Sequence, residues 1–293
     1  MLVALYNRTF DLDDLPFLQK LLGLFELHRI QLSIYKDFYE RLIGAGVSFA
    51  QTPAFFTCNR DLPRSTSMFF SLGGDGTILD AVCHVGSSGI PIIGINLGRL
   101  GFLAAIPEEE VTQAVESLVR GSYTIEQRSL VHLDASVPLF GDMPFALNEF
   151  TLHRKDSSSM IKIHTYLNGE FLNTFWADGL IVATPTGSTG YSLSCGGPVV
   201  FPQASSFLIT AVAPHNLNVR PIIVPDDNVI SFEVEGRAEQ FLATLDARTE
   251  SITAGVQMAV RRESFKISLV RPDEHNFLKT IKQKLYWGAD TRN

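Results

Sequence analysis

The chain has 293 residues, 45% of them hydrophobic and 19% charged, the balance of a soluble globular protein long enough for one large domain or two. Its formal net charge of −7 argues against a general nucleic-acid or anionic-membrane surface, so a phosphate site would have to be built locally, largely from backbone amides. No apolar run approaches the roughly 20 residues of a membrane span. The opening MLVALYNRTF lacks a leader's basic and apolar regions, and Cys58, Cys83 and Cys195 show no C-x-x-C spacing; reduced thiols in a cytoplasmic protein are expected, not a disulfide framework or a zinc site.

Leu2 to Tyr6 reads as a first strand, and Leu15 to Leu27 as a helix with Pro16 tolerated in its first turn. Ile30 to Tyr35 suits a second strand, and Phe38 to Ile43 a short helix stopped by Gly44 and Gly46. Thr57 to Ser67 is a polar loop. Met68 to Leu72 is an apolar run of the buried-strand kind, and Ile78 to Val85, opened by Thr77, reads as a helix. Ile90 to Ile95 and the stretch NLGRLGFL at 96–103 follow. Glu108 to Val119 is a helix with its acids first and Arg120 last, as the helix dipole prefers, and Gly121 stops it. Strands alternating with helices predict a parallel α/β sheet over residues 1–122.

From about Tyr123 the pattern turns to strands. Ile161, Ile163, Thr165 and Leu167 alternate with polar positions, and Asn168–Gly169 marks a hairpin returning along Glu170 to Trp176. Leu180 to Ala183, Phe207 to Val212, Ile222 to Val224, Val229 to Val234, Phe241 to Leu245 and Phe265 to Val270 continue the series, with one helical segment near Thr189 to Cys195. Residues 123–270 therefore read as a β-rich, sandwich-like domain. Asn276 to Tyr286 is amphipathic and helical, ending at Gly288, within a C-terminal segment 271–293.

The chemistry concentrates at 68–79, MFFSLGGDGTIL. Gly73, Gly74 and Gly76, with Thr77 opening the helix, form a loop whose backbone turns sharply and leaves room for a ligand, and amides at a helix N-terminus suit a phosphate. Asp75 conflicts with that, because a carboxylate repels phosphate. Either it coordinates Mg²⁺ or abstracts a proton from a hydroxyl, or the whole is a tight strand–helix turn with Asp75 as a cap. A Walker A loop is excluded, since no lysine lies between Lys36 and Lys155, and Leu79 breaks the dinucleotide fingerprint.

GGDGT resembles the phosphate-handling motif shared by NAD kinases, diacylglycerol and sphingosine kinases, and 6-phosphofructokinases. DGLIVATPTGSTGYSLSCGGP at 178–198 is similar to the second signature of NAD kinases, and Asn148–Glu149 to that family's Asn-Glu pair. The motifs stand in the family's order along nearly the whole chain. The resemblance implies an α/β N-terminal domain, a β-rich C-terminal domain and a terminal segment returning to the first. It implies Mg²⁺-dependent transfer of the ATP γ-phosphate to the 2′-hydroxyl of the adenosine ribose of NAD, in a homotetramer or homodimer, with no nucleic-acid or membrane partner.

The same resemblance gives Asp75 the role of proton acceptor and Gly76 a backbone contact to the ligand. It assigns Asn148, Glu149, Asp178, Thr189, Gly190, Tyr191, Ser192 and Ser194 to NAD, with Gly190 where alanine is common. Phe102 is a candidate for packing on the adenine. Taken without the family, Asn148 and Glu149 read equally as a buried polar pair, Asp178 as a turn residue, and Tyr191 and Phe102 as core aromatics. Two departures stand out: Asp246–Ala247–Arg248 replaces a frequent Asp-Gly-Gln, and Trp176 stands where some relatives carry arginine. Arg248 is then either a fork on a ligand phosphate or a surface arginine paired with Glu250 or another subunit. Two other functions remain in play. A lipid kinase built on GGDGT predicts neither the Asn-Glu pair nor TPTGSTGY, and a non-catalytic NAD(H)-binding sensor has no need of Asp75.

Overall fold

The computed structural model describes residues 1–98, 101–104, 106–155, 160–237, 239–271 and 277–287. Arg99, Leu100 and Gly288, which belong to stretches singled out above, lie outside them. The chain divides into two compact units, one of residues 1–127 with 267–293 and one of 128–266. Among the described residues no helix is long and apolar enough to cross a membrane.

In the first unit the order is β1 (Leu2–Asn7), α1 (Leu15–Leu27), β2 (Gln31–Tyr35), α2 (Lys36–Gly44), β3 (Ala54–Phe56), β4 (Thr66–Leu72), α3 (Asp75–Val85), β5 (Ile92–Asn96), β6 (Ile106–Pro107), α4 (Val111–Arg120) and β7 (Thr124–Arg128). The near-continuous apolar runs in β1, β4 and β5 are what a parallel sheet buried on both faces requires. α4 ends where Gly121 takes a left-handed φ of 72°. The core joins Val3, Leu5, Phe70 and Ile93 of the strands to Leu18, Leu21 and Phe25 of α1, with Phe25 edge-on to Phe70 at 5.0 Å.

The second unit holds β8 (Val131–Ala135), β9 (Phe145–Ala146), β10 (Glu149–Arg154), β11 (Ile161–Leu167), β12 (Glu170–Ala177), β13 (Gly179–Ala183), α5 (Tyr191–Ser194), β14 (Ser206–Val212), β15 (Ile222–Pro225), β16 (Ile230–Glu235), β17 (Phe241–Leu245), β18 (Arg248–Ile252) and β19 (Met258–Arg262). Two six-stranded sheets result, ordered β15-β14-β13-β10-β17-β18 and β12-β11-β16-β19-β8-β9. One core takes Phe150 and Leu180 from the first sheet and Ile163 and Phe232 from the second, the face-to-face packing of a sandwich. Asn168 and Gly169 both take positive φ, as the hairpin signal requires.

The chain then closes with β20 (Ile267–Arg271) and α6 (Phe277–Leu285). Here the structure departs from the sequence pattern. Phe265 to Val270 reads as one more strand of the β-rich half, yet β20 joins the first unit's sheet, parallel to β5, in the order β3-β2-β1-β4-β5-β20-β7. An apolar run states that a strand is buried and leaves its sheet open. β3, short and half exposed, is also absent from the pattern, because its polar surroundings read as loop.

Candidate active site

β4 delivers the chain to Gly73, whose φ is 140° and where a Cβ would fall 2.4 Å from Thr77 Oγ1, so glycine is obligatory at this turn. α3 begins at Asp75, three residues before the apolar stretch that starts at Ile78, since a first helical turn accepts polar residues and favours acids. Asp75 does not cap its own helix. Its carboxylate reaches another loop: Oδ2 accepts the Phe102 N–H at 2.8 Å, and Oδ1 accepts those of Leu103 and Ala104, each at 3.0 Å. A Cβ on Gly101 would lie 1.8 Å from Asp75 Oδ1, so the close approach depends on that glycine.

The same loop is gripped by its carbonyls. Buried Arg271, the last residue of β20, donates from Nη1 to Leu103 O at 3.1 Å and from Nη2 to Phe102 O at 3.4 Å, with Nε on Glu126 Oε2 at 3.1 Å. An anion thus holds the amides and a cation the carbonyls of residues 102–104, leaving Phe102 partly exposed with Lys284 Nζ 5.8 Å from its ring centroid. Motif spacing gives Arg271 no role; its one sequence signal is a charge closing an apolar strand.

In the second unit Asn148 and Glu149 stand at the entry to β10. Their backbone is fixed by Asp246, the first residue of the two-residue turn between β17 and β18, with φ of 53°. Asp246 Oδ2 accepts the Leu147 N–H at 2.8 Å, and Oδ1 those of Asn148 at 2.8 Å and Glu149 at 3.1 Å, while the Asp246 N–H returns a bond to Glu149 O at 3.0 Å. Arg248 takes a place the sequence did not suggest. Its fork donates to Met143 O at 2.6 Å and to Phe145 O, over the rings of Phe140 and Phe145, while Glu250 accepts the Phe140 N–H at 2.8 Å. The guanidinium therefore ties the 140–145 turn to β18 instead of pairing with Glu250.

Glu149 is 9% exposed, and its Oε2 has no hydrogen-bond partner among the described residues. Burial, and then the negative charge of Asp246, push its carboxyl up to about 8. Burial also raises the carboxyl of Asp246, against the pull of its three amide donors and Arg248. With those donors in place, Asp246 is the member of the pair built to carry the charge. Glu149 is left as an enclosed acceptor that a ligand hydroxyl or amine would satisfy.

The TPTGSTGY segment folds onto this pair. Thr184 donates through N–H to Asn148 O at 2.8 Å and through Oγ1 to Leu147 O at 2.6 Å, and accepts the Gly187 N–H at 3.1 Å. A Cβ on Gly187 would sit 2.1 Å from Asn148 O, and one on Gly190 3.1 Å from Glu149 Oε2. Glycine at 190 therefore relieves pressure on Glu149 that alanine would apply. Thr189 bonds back to Thr186 O at 3.2 Å. Ser192 turns inward onto Thr210 at 2.9 Å, while Tyr191 and Ser194 face outward on α5, which is a single turn. Burial, followed by the charges of Cys195, Asp178 and Glu149, raises the Tyr191 hydroxyl, which groups these side chains. Asp178 pairs with Arg154 of β10 at 3.0 Å, and the exposed ring of Trp176 carries Lys162 at 5.0 Å. Among the described residues no three His, Cys, Asp or Glu side chains gather as a metal cage.

The model of the ATP-NAD kinase N-terminal domain matches residues 58–123, and that of the ATP-NAD kinase C-terminal domain residues 147–272. The NAD kinase of Cytophaga hutchinsonii is 49% identical over 293 residues, and that of Flavobacterium psychrophilum 44% over 295, each alignment covering all of both chains. Two solved structures share the fold at 22% identity and 98% coverage of this chain. Yeast NADH kinase complexed with NADH gives a TM-score of 0.87 over 88% of its own length. An NAD kinase from Archaeoglobus fulgidus in complex with ATP gives 0.75 over 99%. With full-length relatives at this identity and both domain models matched in order, the chain belongs to the NAD kinase family.

Proposed function

We propose that the chain transfers the γ-phosphate of ATP to the 2′-hydroxyl of the adenosine ribose of NAD, giving NADP. The observation that carries this reading is Asp75, a carboxylate fixed by three backbone amides at the head of a glycine loop. Phosphoryl transfer asks the protein chiefly for positioning, charge neutralisation and a proton acceptor. A carboxylate has about four lone-pair positions. Three are filled here, and the fourth, which has no partner among the described residues, can accept the hydroxyl proton as the oxygen attacks phosphorus. The amides of Gly74 and Gly76 suit the donor phosphates.

NAD recognition falls to the second unit: Asn148 and Glu149, with an unfilled acceptor on Glu149, and Thr189, Gly190, Tyr191 and Ser194 beside them, with Asp178 toward the nicotinamide. Ser192 supports this group through Thr210. Phe102 offers a face to the adenine. Mg²⁺ belongs to this reading as a companion of the nucleotide phosphates, which supply most of its oxygens; Asp75 is the carboxylate nearest that role. A homo-oligomer, a tetramer first of all, accords with the apolar side chains that the second unit exposes, among them Phe171, Phe201, Leu217 and Ile223. A cytoplasmic setting accords with three cysteines that form no disulfide among the described residues.

The test is to incubate the purified protein with ATP, Mg²⁺ and NAD and to measure NADP with an NADP-specific dehydrogenase. Time-dependent NADP formation supports the reading; none, with ATP or with inorganic polyphosphate as donor, rejects it.

A further inference from the structure

The glycine loop carries no cation of its own, and α3 begins with an acid. A triphosphate bound there needs positive charge from another element. The sheet order β3-β2-β1-β4-β5 shows where to look. From β1 the chain moves to one side, to β2 and β3, and then crosses to β4 on the other side. The carboxyl ends of β1 and β4 are therefore a topological switch point, where open α/β sheets bind ligands. The two strands end in register, Asn7 beside Leu72, with Asn7 Nδ2 donating to Leu72 O at 2.9 Å. The next residues are Arg8 on one strand and Gly73 on the other.

Arg8 is held as a positioned cation. Its carbonyl accepts Arg41 Nη1 at 2.9 Å, and that of Asn7 accepts Arg41 Nη2 at 3.0 Å. Its Nε lies 3.6 Å from Asp80 Oδ2, an oxygen that also accepts the Tyr6 hydroxyl at 3.1 Å. Asp80 is one helical turn and a residue beyond Asp75 on α3, so the pair keeps Arg8 over the start of that helix. The Arg8 Nη1 atom is 3.7 Å from where a Cβ on Gly76 would be. The side chain is 52% exposed, and its outer nitrogens have no protein partner among the described residues. A planar fork with unused donors beside a glycine loop suits phosphate oxygens.

We propose that Arg8 binds the phosphates of the donor nucleotide, with Asp80 as the positioning residue that aims it. The assignment rests on the phosphoryl-transfer reading for its place in turnover, and on geometry alone for binding. Substituting Arg8 removes phosphate contacts and leaves the NAD-recognition residues untouched.

The experiment compares wild type with Arg8→Gln, Arg8→Lys and Asp80→Asn, by titration calorimetry with Mg·ATP and with Mg·tripolyphosphate, and by steady-state kinetics. Arg8→Gln should weaken both ligands about tenfold or more and raise KM for ATP to match, with KM for NAD within about twofold of wild type. Arg8→Lys, which keeps charge without the fork, should fall between. Asp80→Asn should weaken ATP less than Arg8→Gln and leave Tm near wild type, as expected for an exposed pair. Unchanged affinity for both phosphates in a folded Arg8→Gln protein overturns the assignment, as does a wild type that binds neither. Loss of phosphate binding on Arg8→Gln in a protein that makes no NADP upholds Arg8 and rejects the NAD kinase reading.

Discussion

Asp75 and Gly101 are coupled by space: a Cβ at residue 101 would overlap Asp75 Oδ1 at 1.8 Å. The carboxylate reaches the amides of 102–104 only because residue 101 has no side chain. Gly101→Ala should therefore displace Asp75 without changing its chemistry. The expected result is a fall in kcat of about tenfold or more, because misplacing a positioned group by about an ångström carries large rate penalties. Steady-state NADP formation, with circular dichroism to confirm folding, checks it. Wild-type kcat would mean that the anchoring of Asp75 has no part in turnover.

Arg271 should act through the same loop. Arg271→Met retains bulk and removes both carbonyl contacts and the ion pair to Glu126. Stability should drop by about 3–5 kcal/mol, the range for breaking a buried pair. Denaturant unfolding measures it. Arg271→Lys should recover only part, since a point charge cannot reach both carbonyls.

Glu149 predicts a pH dependence of stability. Its carboxyl titrates near 8 in the folded chain and near 4.5 when unfolded. Between those values the unfolded chain has released the proton and the folded one retains it. This group's contribution is fully present below about 4.5, is lost as pH rises toward 8, and then levels off. The slope is at most about 1.4 kcal/mol per pH unit. Glu149→Gln should remove this slope, so its Tm should exceed that of wild type at pH 8.5 and approach it at pH 5. Parallel Tm curves for the two proteins across that window would contradict the prediction.

Arg248 now predicts a structural loss. Bound to two backbone carbonyls, it should contribute about 1.5–3 kcal/mol, and Arg248→Gln should lower Tm by a few degrees. A phosphate fork would instead raise KM for NAD and leave Tm alone. Thermal unfolding beside NAD kinetics separates the two.

Local pattern carried most of the fold. α1 follows its apolar spacing over Leu15–Leu27, and the Asn168–Gly169 turn carries its own backbone signature. What local pattern could not carry was partnership across the chain. The grip of Arg271 on residues 102–103 spans 168 positions, and that of Asp246 on residues 147–149 nearly 100. The departure at Ala247 and Arg248 is visible in the sequence, but its meaning is not: the carboxylate of Asp246 accepts the amides of 147–149, and Arg248 serves the 140–145 turn. The inward rotation of Ser192 is likewise invisible, since motif spacing does not tell a ligand hydroxyl from one that packs on Thr210.

The most direct measurement is the turnover of Asp75→Asn alongside its affinity for NAD. With Asp75 as proton acceptor, the variant should bind NAD within a few-fold of wild type while kcat for NADP formation falls by about 10² or more, the range for loss of a general base. Near-normal turnover in the folded variant would contradict the assignment of Asp75 as proton acceptor.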